Sequence, residues 1–180
     1  MKQTLNIVPE CFIDTILAET LLESNRCNHQ KGVGAVINTI TGVLKDKLAI
    51  GIIDNDKKKP KEFNNYIELQ VSPHFSVMRH KENHHHYLIV IKPAQEAFIL
   101  SCASEAKVKL SDYNLPEDLE GLKKKTKSVM SKENVDFKRL FKALRKTGEM
   151  KQLSEILNYL LVNAFASDLG NAECQVPSGE

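Results

Sequence analysis

With 180 residues, 42% of them apolar and 27% charged, the chain has the make-up of a globular protein large enough for one hydrophobic core, which excludes collagen-like, coiled-coil and disordered classes. The 25 Lys and Arg against 23 Asp and Glu leave a net charge of +2, so bulk electrostatics selects no nucleic-acid partner, although local basic runs remain available for one. The absence of Trp and an aromatic content of 6% argue against a surface built to stack successive bases. No apolar run reaches the roughly 20 residues of a membrane-spanning helix. Met1-Lys2-Gln3-Thr4 leads into strand-like sequence and not into a signal segment, so the expectation is a cytoplasmic protein. Cys11, Cys27, Cys102 and Cys174 are far apart and show no CxxC spacing, which reads as reduced thiols.

In chain order, Leu5 to Val8 is a short apolar strand ending at Pro9-Glu10. Phe12, Ile13, Ile16, Leu17, Thr20 and Leu21 then recur at helical spacing. A short strand near Arg26 to His29 precedes Gly32-Val33-Gly34, which opens a second helical pattern through Leu44. Lys47 to Ile53 is the strongest strand, continuously apolar as a central parallel strand should be, and it stops at Asp54-Asn55-Asp56. After the turn Lys57 to Lys61, the pattern predicts a short helix near Glu62 to Leu69, strands at Phe75 to Arg79 and Tyr87 to Ile91, and a helix from Gln95 to Leu110. His84 to His86 read as a strand start, where alternation puts His84 and His86 on one face. Beyond Pro116, Lys123 to Lys127 reads as solvated. Two amphipathic helices follow, one built on Phe137, Leu140, Phe141 and Leu144, the other on Leu153, Ile156, Leu157, Leu160 and Leu161. The expectation is an α/β fold with a mostly parallel sheet over residues 1–112, a helical region over 113–166 and a flexible tail over 167–180.

The acids fall where such folds gather function, at strand C-termini facing helix N-termini. Glu10 ends the first strand, and Asp14 lies one helical turn later on nearly the same side. Asp54 and Asp56 end the central strand and, at period two, point the same way. Carboxylates brought this close raise one another's pKa or recruit a cation. An oxygen-seeking ion such as Mg²⁺, held by one or two carboxylates plus water and substrate phosphate, suits the spacing. Lys57, Lys58 and Lys59, beside the acids, suit phosphate binding and equally a plain solvated turn.

Glu10-Cys11-Phe12-Ile13-Asp14, the glycine turn at Gly32 and Gly34, and Asp54-Asn55-Asp56 together resemble the Toprim family over about residues 4–105. Within that family the chain looks like compact Toprim-like nucleases of the phage-defence and overcoming-lysogenization-defect type. The resemblance implies a metal-dependent nuclease acting on DNA or RNA with Mg²⁺ or Mn²⁺. It also implies an ATPase partner and work within an oligomer or complex. Carried onto this chain, it makes Glu10 the general acid/base or a ligand, Asp54 and Asp56 metal ligands, Asp14 an auxiliary acid, and Glu96 in Pro93-Ala94-Gln95-Glu96 a further ligand. The family commonly places glycine after the first glutamate; Cys11 stands there instead, which stiffens the turn.

Other readings of the same residues stay open. Asp54-Asn55-Asp56 also suits an ordinary turn, and Asp14 and Glu96 suit first-turn helix acids. A phosphoacceptor receiver-like domain would use Glu10, Asp54 and Lys92. A catalytically inactive Toprim-like subunit would use the fold to bind another protein. The basic face Lys138, Arg139, Lys142, Arg145 and Lys146 serves either solubility or binding. Neither a Gly-rich phosphate loop nor a Gly-x-Ser-x-Gly elbow occurs in the chain.

Overall fold

The computed structural model describes residues 6–55 and 58–163. Five strands form one mixed sheet: β1 (Ile7–Pro9), β2 (Ala49–Asp54), β3 (Tyr66–Val71), β4 (Phe75–His80) and β5 (His86–Ile91), in the spatial order β1-β2-β5-β4-β3. The β1, β2 and β5 strands are parallel, with Val8 opposite Gly51 and Gly51 opposite Leu88, whereas β4 and β3 return antiparallel. Six α-helices flank the sheet: α1 (Phe12–Leu21), α2 (Val33–Asn38), α3 (Gln95–Ala106), α4 (Leu119–Lys127), α5 (Val135–Leu144) and α6 (Gly148–Asn163).

Strict alternation along the central strands divides the core. Ile50 and Ile52 of β2, with Tyr87, Ile89 and Ile91 of β5, face one side, which α1, α3, α5 and α6 cover. Ala49, Ile53, Leu88 and Val90 face the other, under α2 and the π-turn Thr39–Val43 that continues it. Every residue of β2 and β5 is buried, which is why both strands read as unbroken apolar runs. Gly51 lies where α2 presses closest. A Cβ there would sit 2.6 Å from Leu88 Cδ2 and 2.8 Å from Val36 Cγ1, so only glycine lets the helix seat on the strand.

The region around β3 departs from the expected pattern. The segment expected as a helix near Glu62 to Leu69 is a 3₁₀ turn (Lys61–Asn65) followed by β3, so a hairpin replaces one crossover and the outer half of the sheet is antiparallel. Tyr66 faces the core while Ile67, Leu69 and Val71 are exposed. Phe63, Tyr66 and Ile67, spaced at three and four, mimic a helix face, whereas the strand shows in the alternation of Ile67, Leu69 and Val71. The strand expected near Arg26 to His29 is an extended segment without a ladder of its own. Its Asn28 and Gln30 N–H groups donate to the Ile7 and Pro9 carbonyls at 2.8 and 2.9 Å, covering the open edge of β1.

Beyond Pro116 the described residues form three helices and not two. Asp118 caps α4 by accepting from the Gly121 N–H at 2.7 Å, and Lys124, Lys125 and Lys127 complement the negative end of its dipole. Asn134 caps α5 in the same way, and the Gly148 N–H at the start of α6 donates to the Glu105 carboxylate of α3. The apolar stripes of α5 and α6 enter the same core cluster as α1 and the sheet. The His74 imidazole and the Glu149 carboxylate, 2.6 Å apart, pin the β3–β4 turn to α6. The tail expected over 167–180 lies outside the described residues, as does the strand's first residue, Leu5.

Of the three consecutive histidines, His84 is exposed and His86 is sealed beneath the π-turn at the start of β5. His86 Nε2 lies 3.2 Å from the Leu44 carbonyl, and its buried Nδ1 has no hydrogen-bond partner. Burial therefore holds its pKa below the ordinary 6.5; nearby His80 and His85 push in the same direction, against the Leu44 carbonyl and Asp46. A base that resists protonation only when folded makes the unfolded chain the better proton binder, so stability falls as pH drops below about 6.5. The melting temperature should decline between pH 7.5 and 5.5, and His86→Gln should flatten that decline. His29, lowered mainly by burial, adds a slope of the same sign that survives the substitution.

Candidate active site

Parallel pairing of β1 with β2 brings their C-terminal ends together. The Glu10 N–H donates to the Ile52 carbonyl at 3.0 Å, extending the ladder one residue past β1. From there the Glu10 carboxylate turns onto β2, and its Oε2 accepts from the Asp54 N–H at 3.2 Å. Asp54, on the same face of β2 as Ile50 and Ile52, extends toward α3, where its Oδ1 accepts from the Gln95 N–H at 3.1 Å. That bond supplies α3 with the cap its own N-cap residue, Ala94, cannot provide. Glu10 and Asp54 thus meet at adjacent strand ends, both buried.

Glu96, in the first turn of α3, accepts a short hydrogen bond from the Thr126 hydroxyl of α4. A cleft of about 260 Å³ opens between these elements, lined by Cys11, Asp54, Glu96, Lys123, Thr126 and Lys127, with Ile13 and Gln95 at its base. Two carboxylates therefore share a pocket with two lysines, a composition suited to a cation-bridged anionic ligand. Glu10 sits behind the wall and reaches the cleft through Asp54.

Asp14 is wholly buried in the first turn of α1 and does not line the cleft. Its backbone N–H donates to the Cys11 thiol at 3.4 Å, so Cys11 serves as the N-cap of α1. Burial, with the charges of Asp14 and Asp54, pushes the Cys11 thiol up, and it stays protonated. Burial also raises Cys27 and Cys102 to about 12, and all three are free thiols. The extended segment locks onto α1 through Thr15, whose hydroxyl lies 3.1 Å from His29 Nδ1, and through Phe12 stacked on the His29 ring at 4.3 Å.

Asp56 and Lys57 lie outside the described residues. Lys58 is exposed. Lys59 folds back to donate to the Asp54 carbonyl and rests over the Phe63 ring. Among the described residues the lysines that enter the cleft are Lys123 and Lys127, which the sequence reading left as solvated. The signal was present: Asp118 as a cap, Glu120 in the first turn and lysines in the last turn mark a helix, and a helix has an inner face.

Among the described residues no group of three or more His, Cys, Asp or Glu side chains stands ready to hold a metal. The two acids at these strand ends are Glu10, whose carboxylate accepts from the Asp54 N–H, and Asp54, whose carboxylate accepts from the Gln95 N–H; both offer oxygen without sulfur or imidazole. Mg²⁺ takes one or two carboxylates and fills the rest of its shell with water and phosphate, so this pair fits it and a soft metal does not.

The chain matches no protein-family model, no curated protein and no solved structure. What fold and cleft together define is an α/β protein whose mixed five-stranded sheet is parallel at its centre and carries a pair of buried acids at adjacent strand ends. No helix among the described residues is long and apolar enough to cross a membrane.

Proposed function

We propose that this chain is a metal-dependent nuclease of the Toprim-like kind, cleaving phosphodiester bonds of DNA or RNA with Mg²⁺ or Mn²⁺. One observation carries the reading: Glu10 and Asp54 meet at neighbouring strand ends beside a cleft that also holds Glu96, Lys123 and Lys127. Glu10 and Asp54 would hold the ion, with Asp56 and Glu96 as further ligands and Asp14 as an acid in reserve behind Cys11. When bound, such an ion polarises a phosphate and lowers the pKa of water nearby. The chain's own part is positional. Asp54 is fixed at both ends, by Glu10 on one side and the start of α3 on the other, so its carboxylate needs little ordering on binding. Lys123 and Lys127, which line the cleft, would neutralise the phosphate together with Lys57, Lys58 and Lys59. Glu10 would serve as acid/base. A cytoplasmic setting, an oligomer or complex and an ATPase partner complete the proposal.

A second reading is favoured by one specific observation. The Asp54 and Glu10 carboxylates already accept backbone N–H groups, as they would in an inactive module where they merely tie β1, β2 and α3 together. The receiver-like alternative gains nothing, since a hairpin occupies the interval between Asp54 and Lys92 that a receiver fills with helices and a strand. Purified protein incubated with labelled single- and double-stranded DNA and RNA decides between nuclease and module. The proposal expects cleavage in Mg²⁺ or Mn²⁺ that chelator abolishes. Cleavage indifferent to chelator, or none with any substrate and no metal-dependent rise in melting temperature, overturns it.

A further inference from the structure

A second concavity lies along α1, between its C-terminal half and α5. It is an open trough of about 990 Å³ whose walls carry the cations Arg26, Lys138, Lys142, Arg145 and Lys146. Five cations against two acids, Glu19 and Glu23, give the trough a net +3, whereas the whole chain carries +2.

Both acids are occupied. Glu19 accepts from Lys132 at 2.9 Å and from the Cys27 N–H at 3.2 Å, and Glu23 accepts from Arg145 at 2.6 Å. Lys138 pairs with Glu133, but Lys142 and Lys146 are exposed and have no acidic partner among the described residues. Lys138, Lys142, Arg145 and Lys146 recur at helical spacing and so share one side of α5 and its end. Complementing the α5 dipole accounts for Lys142, Arg145 and Lys146 at its C-terminal end but not for Lys138 or for Arg26, which also line the trough.

Cleft and trough both have α1 in their lining. Ile13 lines one and Ile16 the other, a single helical turn apart on α1. The ten residues of α1 span about 15 Å, the length of four or five phosphates at a duplex rise of about 3.4 Å. We infer that this trough is the track for the phosphate backbone of a nucleic-acid strand that continues into the cleft. The inference rests on the nuclease reading for its direction, toward Asp54, and on charge and shape for its ligand.

The test is fluorescence anisotropy with labelled 20-nucleotide single-stranded DNA, RNA and duplex DNA in EDTA, titrated from 50 to 200 mM KCl. Lys142→Glu/Lys146→Glu should bind at least about tenfold more weakly than the unaltered protein. The slope of log K against log salt should shrink by about 1.4 for single strands or about 1.8 for duplex. The charge-matched Lys45→Glu/Lys47→Glu, in the turn before β2, should bind nearly as the unaltered protein does, and unchanged melting curves establish that all three fold. Equal loss in both double variants, no loss in either, or no nucleic-acid binding at all overturns the track. So does a trough that binds anionic vesicles or polyglutamate but not nucleic acid. The nuclease reading fails separately: if trough-dependent binding is seen without cleavage in Mg²⁺ or Mn²⁺, the track stands and the catalysis does not. If both stand, the trough variant should raise KM and leave kcat within about twofold.

Discussion

Asp54→Asn should reduce Mg²⁺-dependent cleavage by about 100-fold or more while leaving the melting temperature in metal-free buffer unchanged or higher. The two halves of this expectation have different physical origins. Asparagine keeps the oxygen that accepts from the Gln95 N–H at 3.1 Å, so the cap on α3 survives. It removes a negative charge from a buried region that also holds Glu10 and Asp14, which relieves repulsion. Cleavage needs the lost charge: a cation held by two carboxylates loses one, and stabilisation of several kcal/mol by a bound metal corresponds to a factor of 100 or more in rate. Metal affinity and rate should fall together, read by a Mn²⁺ titration and a single-turnover assay on one preparation. A variant that loses activity only because it melts lower would place Asp54 in the scaffold and not in the chemistry.

Phe137→Ala is the substitution with the largest expected cost to stability, about 3–5 kcal/mol. Phe137 is fully buried and packs 6.2 Å from Phe141 between ring centroids, within the cluster that joins α5 to α1 and the sheet. Its loss should lower the melting temperature of a chain this size by roughly 10 °C. Calorimetry should show one transition before and after, because the helices after Pro116 share a core with the α/β layer and cannot melt alone. Two separated transitions, with only the lower one moved, would show that the helical region folds as an independent unit.

The parallel centre of the fold was legible because its determinants are local. β2 is buried on both faces and reads as an unbroken apolar run, and α1 shows its buried stripe directly. Once those elements are placed, the approach of Glu10 to Asp54 follows from parallel pairing alone, since parallel neighbours end on the same side. The features that escaped depend on partners distant in sequence. β3 is a strand because β4 pairs with it, and its exposed apolar residues say nothing of that pairing. The segment at 28–30 is extended because β1 offers it carbonyls. Lys123 and Lys127 were hidden by composition: a lysine run looks solvated until the helix that carries it is seen to lie across a cleft. His86 showed the converse, a polar run in which one member is buried because it opens a strand covered on both faces.

The central claim, that the carboxylates of Glu10 and Asp54 form a divalent-cation site, is tested most directly by anomalous scattering from crystals equilibrated with millimolar Mn²⁺. The account predicts an anomalous peak within bonding distance of both carboxylates, absent from Asp54→Asn crystals treated in the same way. Saturated crystals with no peak at the ends of β1 and β2, or a peak that persists there unchanged in Asp54→Asn, would contradict it.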